Sequence, residues 1–342
     1  NFDNGIIGMT ESSDTAYASV LSNLYVKDTR ITNTLMGISR HFRNAVVEGC
    51  TIVEDTNAQS GEHCLYFLTD VLENAYISDT TLITDGSSSG SCVQFYPKNG
   101  EADANLVDGV YKIDGCVLIG DSYVSVHGGG KCYVTASTLK TGTYNTTNLR
   151  RQFACPSNDS SFIDVTGCSI NLEMQDGLTE KVIYRGCSVY SNRVLSSRFA
   201  LAKAYDCQFD NIGISVAQDA EIIGCTFSAS VSVAGNYYIY VASAITASTI
   251  SKCVFNTGGN VGSIAYNSSG KCLLVAVISS LPNGNNNTGL TFYHKIDPTQ
   301  PESGSGTDGF SPVVTVTSIT GGHRVTITDA TGDKTFDVMD IA

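Results

Sequence analysis

Glu101 and Asp103 are the neighbouring carboxylates best placed for acid–base chemistry in this sequence of 342 residues. Cleavage of a glycosidic bond uses two such groups about 5–9.5 Å apart, one that donates a proton and one that activates water or attacks the sugar. The alternative is a solvated loop, which is common in a chain with 33 acidic residues. The pair is therefore a candidate catalytic site, but the sequence leans against catalysis.

A second set of residues suits ligand binding through aromatic rings and cationic groups. Rings offer flat apolar surfaces and arginine forks pair with carboxylates, so such residues recognise sugars and acidic groups. The alternating pair Tyr238 and Tyr240 also fits simple packing within a strand. The candidate binding residues are Tyr96, Lys98, Tyr144, Arg150, Arg151, Tyr238 and Tyr240.

His127 stands before three consecutive glycines, Gly128–Gly130. A general base needs a group that orients its ring, and the sequence offers none beside it, so we expect a turn residue. The five histidines are scattered and no Cys-x-x-Cys occurs, which argues against a zinc site. Phosphate-binding and dinucleotide-binding signatures are also missing from the sequence. We therefore expect neither a metal nor a cofactor.

Charge and hydropathy exclude two classes of partner. The formal net charge is −13, whereas nucleic-acid binding needs clustered lysine and arginine. The same charge disfavours an anionic membrane surface. No apolar run reaches the roughly 18–20 residues that a membrane-spanning helix needs. We expect a chain that neither binds nucleic acid nor inserts into a membrane.

Cysteines reveal the elements that must position these residues. Many of the 12 cysteines lie in one phrase, as in Ile113-Asp114-Gly115-Cys116-Val117-Leu118. With the cysteine as anchor, apolar residues or tyrosine stand three residues before it and two residues after it. The spacing between anchors clusters near twenty residues, with longer values that suggest loop insertions. The anchors are Thr29, Cys50, Thr80, Cys116, Ser137, Cys168, Cys187, Cys207, Cys225 and Cys253.

The residue before each anchor breaks the alternation. Period-two alternation on both sides predicts two short strands with inward apolar residues. Eight of the ten break residues are Gly or Asp, types that tolerate a positive φ. Each phrase therefore predicts strand, one-residue bend, strand, and the anchors form an inner column of small residues about 4.8 Å apart. Ten such coils would make a rod on the order of 45–50 Å long.

Buried, inert thiols are the expected state of the cysteines in that column. Free cysteine is among the most frequently buried residue types. Adjacent thiols stay reduced most easily in a protein that folds in a cytoplasm. Phe209, Phe227 and Phe255 are expected to stack in a second column.

The C-terminal part follows a different pattern. Residues 301–309 are rich in glycine and serine and predict a linker. Period-two alternation then restarts, and Gly321-Gly322 between two runs is a hairpin signal. We expect residues 310–342 to form a small three-stranded antiparallel module, which is marginal alone and should dock on the rod or on copies of itself.

The repeat resembles the right-handed parallel β-helix of the pectate-lyase-like superfamily over residues 5–298. The leucine-rich repeat is the alternative, because Leu72–Leu82 loosely fits its consensus, but the intervals here are rich in Gly, Ser, Asn and Thr rather than Leu. The resemblance implies an all-β fold: a right-handed parallel β-helix of about ten or more coils in residues 1–300, followed by the linker and the small β module.

The string Asp308–Val316, followed by Gly321–Asp329 and Phe336–Val338, is similar to a short module in tail and minor structural proteins of phages and prophages of gut Firmicutes. Together the two resemblances imply a phage tailspike or receptor-binding tail protein: a homotrimer on the virion, folded in the host cytoplasm, that contacts a bacterial surface polysaccharide. The expected role is non-catalytic receptor binding.

Two alternatives remain open. One is a glycan-depolymerising tailspike, in which case the activity would be that of a polysaccharide hydrolase or lyase. The other is a secreted, extracellular bacterial protein, either a pectate-lyase-like enzyme or an adhesin.

Overall fold

Every regular element in the part of the chain that the computed structural model describes is a β-strand. No helix there is long and apolar enough to cross a bilayer. The described residues are 2–3, 7–8, 21–34, 36–39, 42–54, 63–68, 72–84, 90–96, 109–120, 122–142, 152–155, 160–171, 181–191, 199–229, 237–241, 249–256, 263–267, 272–278, 290–293, 313–319, 322–329 and 332–339.

The strands are short, as expected for runs interrupted by bends and insertions. In chain order they are β1 (Phe2–Asp3), β2 (Ile7–Gly8), β3 (Leu21–Lys27), β4 (Arg30–Thr34), β5 (Met36–Ser39), β6 (Phe42–Glu48), β7 (Thr51–Glu54), β8 (His63–Leu68), β9 (Asn74–Ser78), β10 (Thr81–Ile83), β11 (Val93–Tyr96), β12 (Val110–Asp114), β13 (Val117–Ile119), β14 (Val124–Val126), β15 (Lys131–Thr135), β16 (Thr138–Lys140), β17 (Phe153–Ala154), β18 (Phe162–Thr166), β19 (Ser169–Asn171), β20 (Val182–Arg185), β21 (Ser188–Tyr190), β22 (Phe199–Tyr205), β23 (Gln208–Asp210), β24 (Ile214–Ile223), β25 (Thr226–Ser228), β26 (Tyr237–Val241), β27 (Thr249–Asn256), β28 (Ser263–Asn267), β29 (Cys272–Ile278), β30 (Leu290–Tyr293), β31 (Val313–Ile319), β32 (Gly322–Asp329) and β33 (Gly332–Met339).

These strands stack in parallel, which is the arrangement of a parallel β-helix. One stack is formed by the strands that precede the bends in each coil. It runs through β3, β6, β9, β12, β15, β18, β20, β22, β24, β27, β29 and β30. A second stack follows the bends and runs through β1, β4, β7, β10, β13, β16, β19, β21, β23, β25 and the end of β27. A third stack is a separate six-stranded sheet of β2, β5, β8, β11, β14 and β17.

The predicted inward columns are confirmed by the strand register. Residues three before the anchor are partners from coil to coil, and those whose side chains are described are buried. This column is Val26, Val47, Ile77, Ile113, Val134, Val165, Tyr184, Ala204, Ile222 and Ile250. The column two after the anchor is Ile31, Ile52, Leu82, Leu118, Leu139, Ile170, Val189, Phe209, Phe227 and Phe255. Phe209 and Phe227 stack with ring centroids 5.0 Å apart, as predicted.

Nine of the ten predicted bends adopt a positive φ, between 47° and 69°. They are Asp28, Gly49, Asp79, Gly115, Ala136, Gly167, Gly186, Asp206 and Gly224. The tenth, Lys252, lies inside the continuous strand β27, where the register shifts between Ser251 and Cys253. The left-handed bend therefore separates the two strands of each coil until the chain reaches β27.

Backbone hydrogen bonds on the two sides of a bend run in opposite directions along the stack. The Gly115 N–H donates to the Thr135 carbonyl of the following coil at 3.1 Å. Two residues later, the Val117 N–H donates to the Thr80 carbonyl of the preceding coil at 3.0 Å. Each bend is thus fixed to both of its neighbours, which satisfies backbone groups that a buried turn would otherwise leave unpaired.

The anchor side chains also make hydrogen bonds at the bend. The Cys116 thiol donates to its own coil's Asp114 carbonyl at 3.3 Å, and the Cys116 N–H donates to the Ser137 hydroxyl of the next coil at 3.0 Å. Ser137 and Thr80 repeat the first contact, donating to the Thr135 and Ser78 carbonyls at 2.8 and 2.7 Å. The anchors are therefore Cys, Ser or Thr because the position needs a small side chain with a hydrogen to donate.

The eleven cysteines whose side chains the structure describes form no disulfide and are buried, so that expectation is confirmed for them. Burial raises the pKa of Cys116 to about 11 and that of Cys92 to about 12, which keeps these thiols protonated and unreactive. The Ser137 N–H donates to the Cys168 Sγ and the Cys187 N–H donates to the Cys207 Sγ, each at 3.4 Å. The prediction of a merely inert thiol column missed this hydrogen bonding.

Strands β31, β32 and β33 form a sheet of their own. They pair antiparallel, with Val316, Val325 and Phe336 in register. The right-handed winding, the number of coils and the division into residues 1–300, 301–309 and 310–342 stay predictions.

An Asp–Gly alternation explains which bends must be glycine. The Asp28, Asp79 and Asp206 carboxylates lean over the next bend, where a Cβ added to Gly49, Gly115 or Gly224 would meet an aspartate oxygen at 3.0 Å or less. Gly167, which follows Ala136, has nothing within 4 Å of that position. Where the bend of the preceding coil is an aspartate, glycine is required for two reasons: the positive φ, and the space that the aspartate side chain occupies.

We therefore expect Gly224→Ala to destabilise the protein more than Gly167→Ala, measured as the free energy of unfolding in urea. Each substitution places an L-residue at positive φ, which costs about 1–2 kcal/mol. Gly224→Ala must also displace the Asp206 carboxylate, which adds about 1 kcal/mol. When both substitutions are made in a background that carries Asp206→Gly, this difference should disappear. Equal losses of unfolding free energy for Gly224→Ala and Gly167→Ala in the wild-type background would contradict the explanation.

Candidate functional site

Three of the predicted site residues lie within the described part of the chain: Tyr96, Tyr238 and Tyr240. The predicted carboxylate pair, the predicted cationic residues and one predicted tyrosine lie outside it. They are Glu101, Asp103, Lys98, Tyr144, Arg150 and Arg151, and their roles stay predictions.

Tyr238 needs a correction. Its side chain is completely buried and its ring centroid lies 5.8 Å from that of Phe227. Strand β26 joins the stack through β24, with Ile239 opposite Ile214, so Tyr238 points into the core instead of into a surface loop. This placement supports packing within a strand, the alternative that the sequence also allowed. The Tyr240 backbone pairs with Ser215 and Tyr266.

Tyr96 ends strand β11 in the six-stranded sheet, on its outward face. Tyr66, Gln94 and Ser125 form one outward column across β8, β11 and β14. The residues between them in sequence, such as Phe95, point into the core and are buried. Alternation along the strands therefore presents Tyr66, Gln94 and Tyr96, with His127 beyond the end of β14, on one surface, which we call the tyrosine–histidine face. Ser125, in the same column, is buried and contacts His127.

His127 joins this face through three contacts. Its N–H donates to the Phe95 carbonyl at 3.0 Å, and its Nε2 lies 2.8 Å from the Ser125 hydroxyl. Its ring centroid is 4.7 Å from that of Tyr96. The chain then turns through Gly128 and Gly129, both at positive φ. The expected turn therefore begins directly after His127, whose ring is held against Tyr96 and Ser125.

His63 borders the same face and was missed by the sequence reasoning. Its Nδ1 accepts a hydrogen bond from the Ser91 N–H at 2.7 Å, and its ring lies 4.8 Å from the Tyr66 ring. Burial lowers the pKa of His63 to about 4. At neutral pH its imidazole is therefore neutral and carries its proton on Nε2. The signal in the sequence is its position directly before Cys64. Both residues lie in β8, which pairs with β11 of the next coil.

The face offers the groups that recognise sugars. Tyr66 and Tyr96 present half-buried rings, and rings on a rigid sheet stack on the apolar side of a sugar at small entropic cost. Gln94 supplies an amide for hydrogen bonds to sugar hydroxyls, while the buried Ser125 hydroxyl contacts the His127 ring. The Ser125–His127 pair has the spacing of a nucleophile and its base, but such a site also needs an orienting group and donors for an oxyanion. We assign the pair to binding.

Within the described ranges, no group of three or more His, Cys, Asp or Glu residues could hold a metal ion. Comparison of the chain with protein-family models, with curated proteins and with solved structures found no match. The function must therefore be argued from the residues and their geometry.

The His63 imidazole makes stability depend on pH. Its pKa is about 4 in the folded protein, against an ordinary value of 6.5, so only the unfolded chain takes up this proton between these values. The contribution of His63 to stability is complete above pH 6.5 and is lost as the pH falls towards 4, by about 3 kcal/mol in total.

Urea unfolding of the protein and of His63→Gln at pH 7 and pH 4.5 checks this expectation. Glutamine can accept the Ser91 hydrogen bond but does not titrate. The stability lost on acidification should therefore be smaller in the variant. An equal loss in both proteins would show that His63 does not carry the pH dependence.

Proposed function

We propose that the protein is a phage or prophage tail component, of the tailspike or receptor-binding type, that contacts a bacterial surface polysaccharide without cleaving it. The observation that carries the proposal is the tyrosine–histidine face, where two tyrosine rings, an amide and an imidazole lie on or beside adjacent strands of one sheet. Stacking rings with a few convergent polar groups suit a hydroxylated ligand with an apolar ring face.

A right-handed rod of about ten or more coils is the scaffold in this proposal. Stacked strands hold outward residues about 4.8 Å apart along a straight line. A polymer of sugars also repeats along a line, so one surface can bind several sugars at once, and weak contacts add up.

Homotrimer formation through the C-terminal module belongs to the same proposal. Strands β31 to β33 make a sheet of only three strands, and a folded unit of fewer than about 40 residues usually needs oligomerisation or another support to be stable. Copies of the same module around a threefold axis would supply one. Light scattering should then give three times the mass of one chain.

Folding in the host cytoplasm before assembly into the virion is supported by the free thiols. None of the eleven cysteines whose side chains are described forms a disulfide, although Cys187 and Cys207 lie in successive coils and the Cys187 N–H reaches the Cys207 Sγ at 3.4 Å. Neighbouring thiols of this kind stay reduced most easily in a reducing compartment. A secreted pectate-lyase-like enzyme or adhesin, the other candidate, would fold under oxidising conditions.

Binding to an array of bacterial surface polysaccharides tests the proposal. The wild type should bind at least one glycan, and Tyr66→Ala with Tyr96→Ala should weaken that binding about tenfold, because both stacking rings are lost. Tyr190→Ala, on β21 outside the face, is the matched control and should bind like the wild type. If the wild type binds no glycan, the proposal fails.

A reducing-sugar and unsaturated-product assay on each bound glycan separates binding from cleavage. The proposal expects no product. Release of fragments would establish the depolymerising alternative, in which Glu101 and Asp103 are the carboxylates to substitute first.

A further inference from the structure

The outward side of β3, β6 and β9, on a different sheet from the tyrosine–histidine face, presents two regular columns. Asn23, Asn44 and Asn74 are partners in the first column. The second column is Tyr25, Val46, Tyr76, Lys112 and Tyr133. We call the three asparagines and the three tyrosines together the amide–tyrosine face.

The asparagine column is a hydrogen-bonded ladder. The Asn44 Nδ2 donates to the Asn23 Oδ1 and the Asn74 Nδ2 donates to the Asn44 Oδ1, each at 3.0 Å. The three amides are thus held in one orientation along the stack. In the ladder the Asn23 side chain uses its oxygen and the Asn74 side chain uses its Nδ2, so these two end amides keep groups for further hydrogen bonds. Asn23 and Asn74 are exposed.

The tyrosines recur in every second coil. Tyr25 is 61% exposed and Tyr76 is 41% exposed, and they are the exposed large hydrophobic residues of the described chain. Partners two coils apart in a parallel stack lie roughly 10 Å from each other. Val46 fills the position between them, so Tyr25, Val46 and Tyr76 form an apolar strip, and the exposed Lys112 follows in the next coil. Tyr133 continues it, half-buried and edge-on to Phe162.

Charges beside the first coils are compensated. The Lys27 Nζ lies 2.9 Å from the Glu48 Oε1, and Arg43 is paired with Glu73. The Tyr25 hydroxyl donates to Glu48 at 3.2 Å, which fixes the ring beside this ion pair. Beside the first coils the strip therefore presents rings and amides, because the neighbouring cations there are occupied by carboxylates. Lys112 is an exposed cation within the column itself.

We propose that the amide–tyrosine face is a second glycan-binding site, which holds a linear uncharged polysaccharide along the axis of the stack. Sugar rings stack on Tyr25, Tyr76 and Tyr133, and the asparagine amides bond the hydroxyls along one edge of the polymer. This inference rests on the proposed function, that the protein binds glycans. It adds the position of a second site, the direction of the polymer and its lack of charge.

Affinity electrophoresis in gels containing dextran, yeast mannan, linear galactan or acidic polygalacturonate tests the inference. Tyr25→Ala with Tyr76→Ala should weaken retardation by a neutral polymer about tenfold, whereas the conservative pair Tyr25→Phe and Tyr76→Phe should retain it. Lys140→Gln, an exposed position on β16 outside the face, is the control and should leave neutral-polymer binding unchanged. The exposed positions of both rings let the alanine variant keep the wild-type melting temperature, which circular dichroism checks.

Several results would overturn the inference. If Tyr66→Ala with Tyr96→Ala abolishes binding while the Tyr25 and Tyr76 variant binds normally, the second site is wrong and the proposed function stands. If the wild type binds no polymer in the gels and no glycan on the array, both fail. Retardation by polygalacturonate alone, lost in Lys112→Gln, would show an acidic ligand. Self-association that the Tyr25 and Tyr76 substitutions abolish would show that a second copy of the chain covers the face.

Discussion

A single left-handed residue between two strands is the constraint on which the structure depends. It turns the chain by placing one residue at positive φ, and nine of these bends lie directly above one another. Such a bend inside a stack exposes backbone groups that must find partners. The opposite hydrogen-bond directions on its two sides, together with the thiol or hydroxyl of the anchor, supply them. Glycine, aspartate and small polar anchors recur because few other residues meet these conditions.

Stacked bends also determine what the outside of the molecule can do. Once the inner columns are in register, outward residues must form columns as well, because strand alternation links the two faces. The tyrosine–histidine face and the amide–tyrosine face are two results of that rule on different sheets. The amide–tyrosine face repeats its amides and its rings along a line, which matches a polymeric ligand better than a compact one. The proposed function therefore follows from the same register that builds the core.

Much of this fold was predictable from the sequence, because the repeat is marked by residue types that obey local rules. The positions of the inward columns and nine of ten bends were predicted from spacing alone, and Lys252 failed because β27 continues through its position. The Asp–Gly alternation and the His63 contact were missed, since they join residues of different coils that the sequence separates by variable insertions. Tyr238 was assigned to a binding loop for the same reason: its strand β26 joins the stack through β24.

Thiol reactivity tests the central claim, that the anchors form one buried, unbridged inner column, most directly. The native protein is treated with a thiol reagent such as DTNB, then unfolded in guanidinium chloride and treated again, and its intact mass is measured. At most one of the 12 cysteines should react in the native state, all should react after unfolding, and the mass should be that of the fully reduced chain. Rapid reaction of several thiols in the native protein, or a mass lowered by the hydrogens lost to disulfides, would contradict the account.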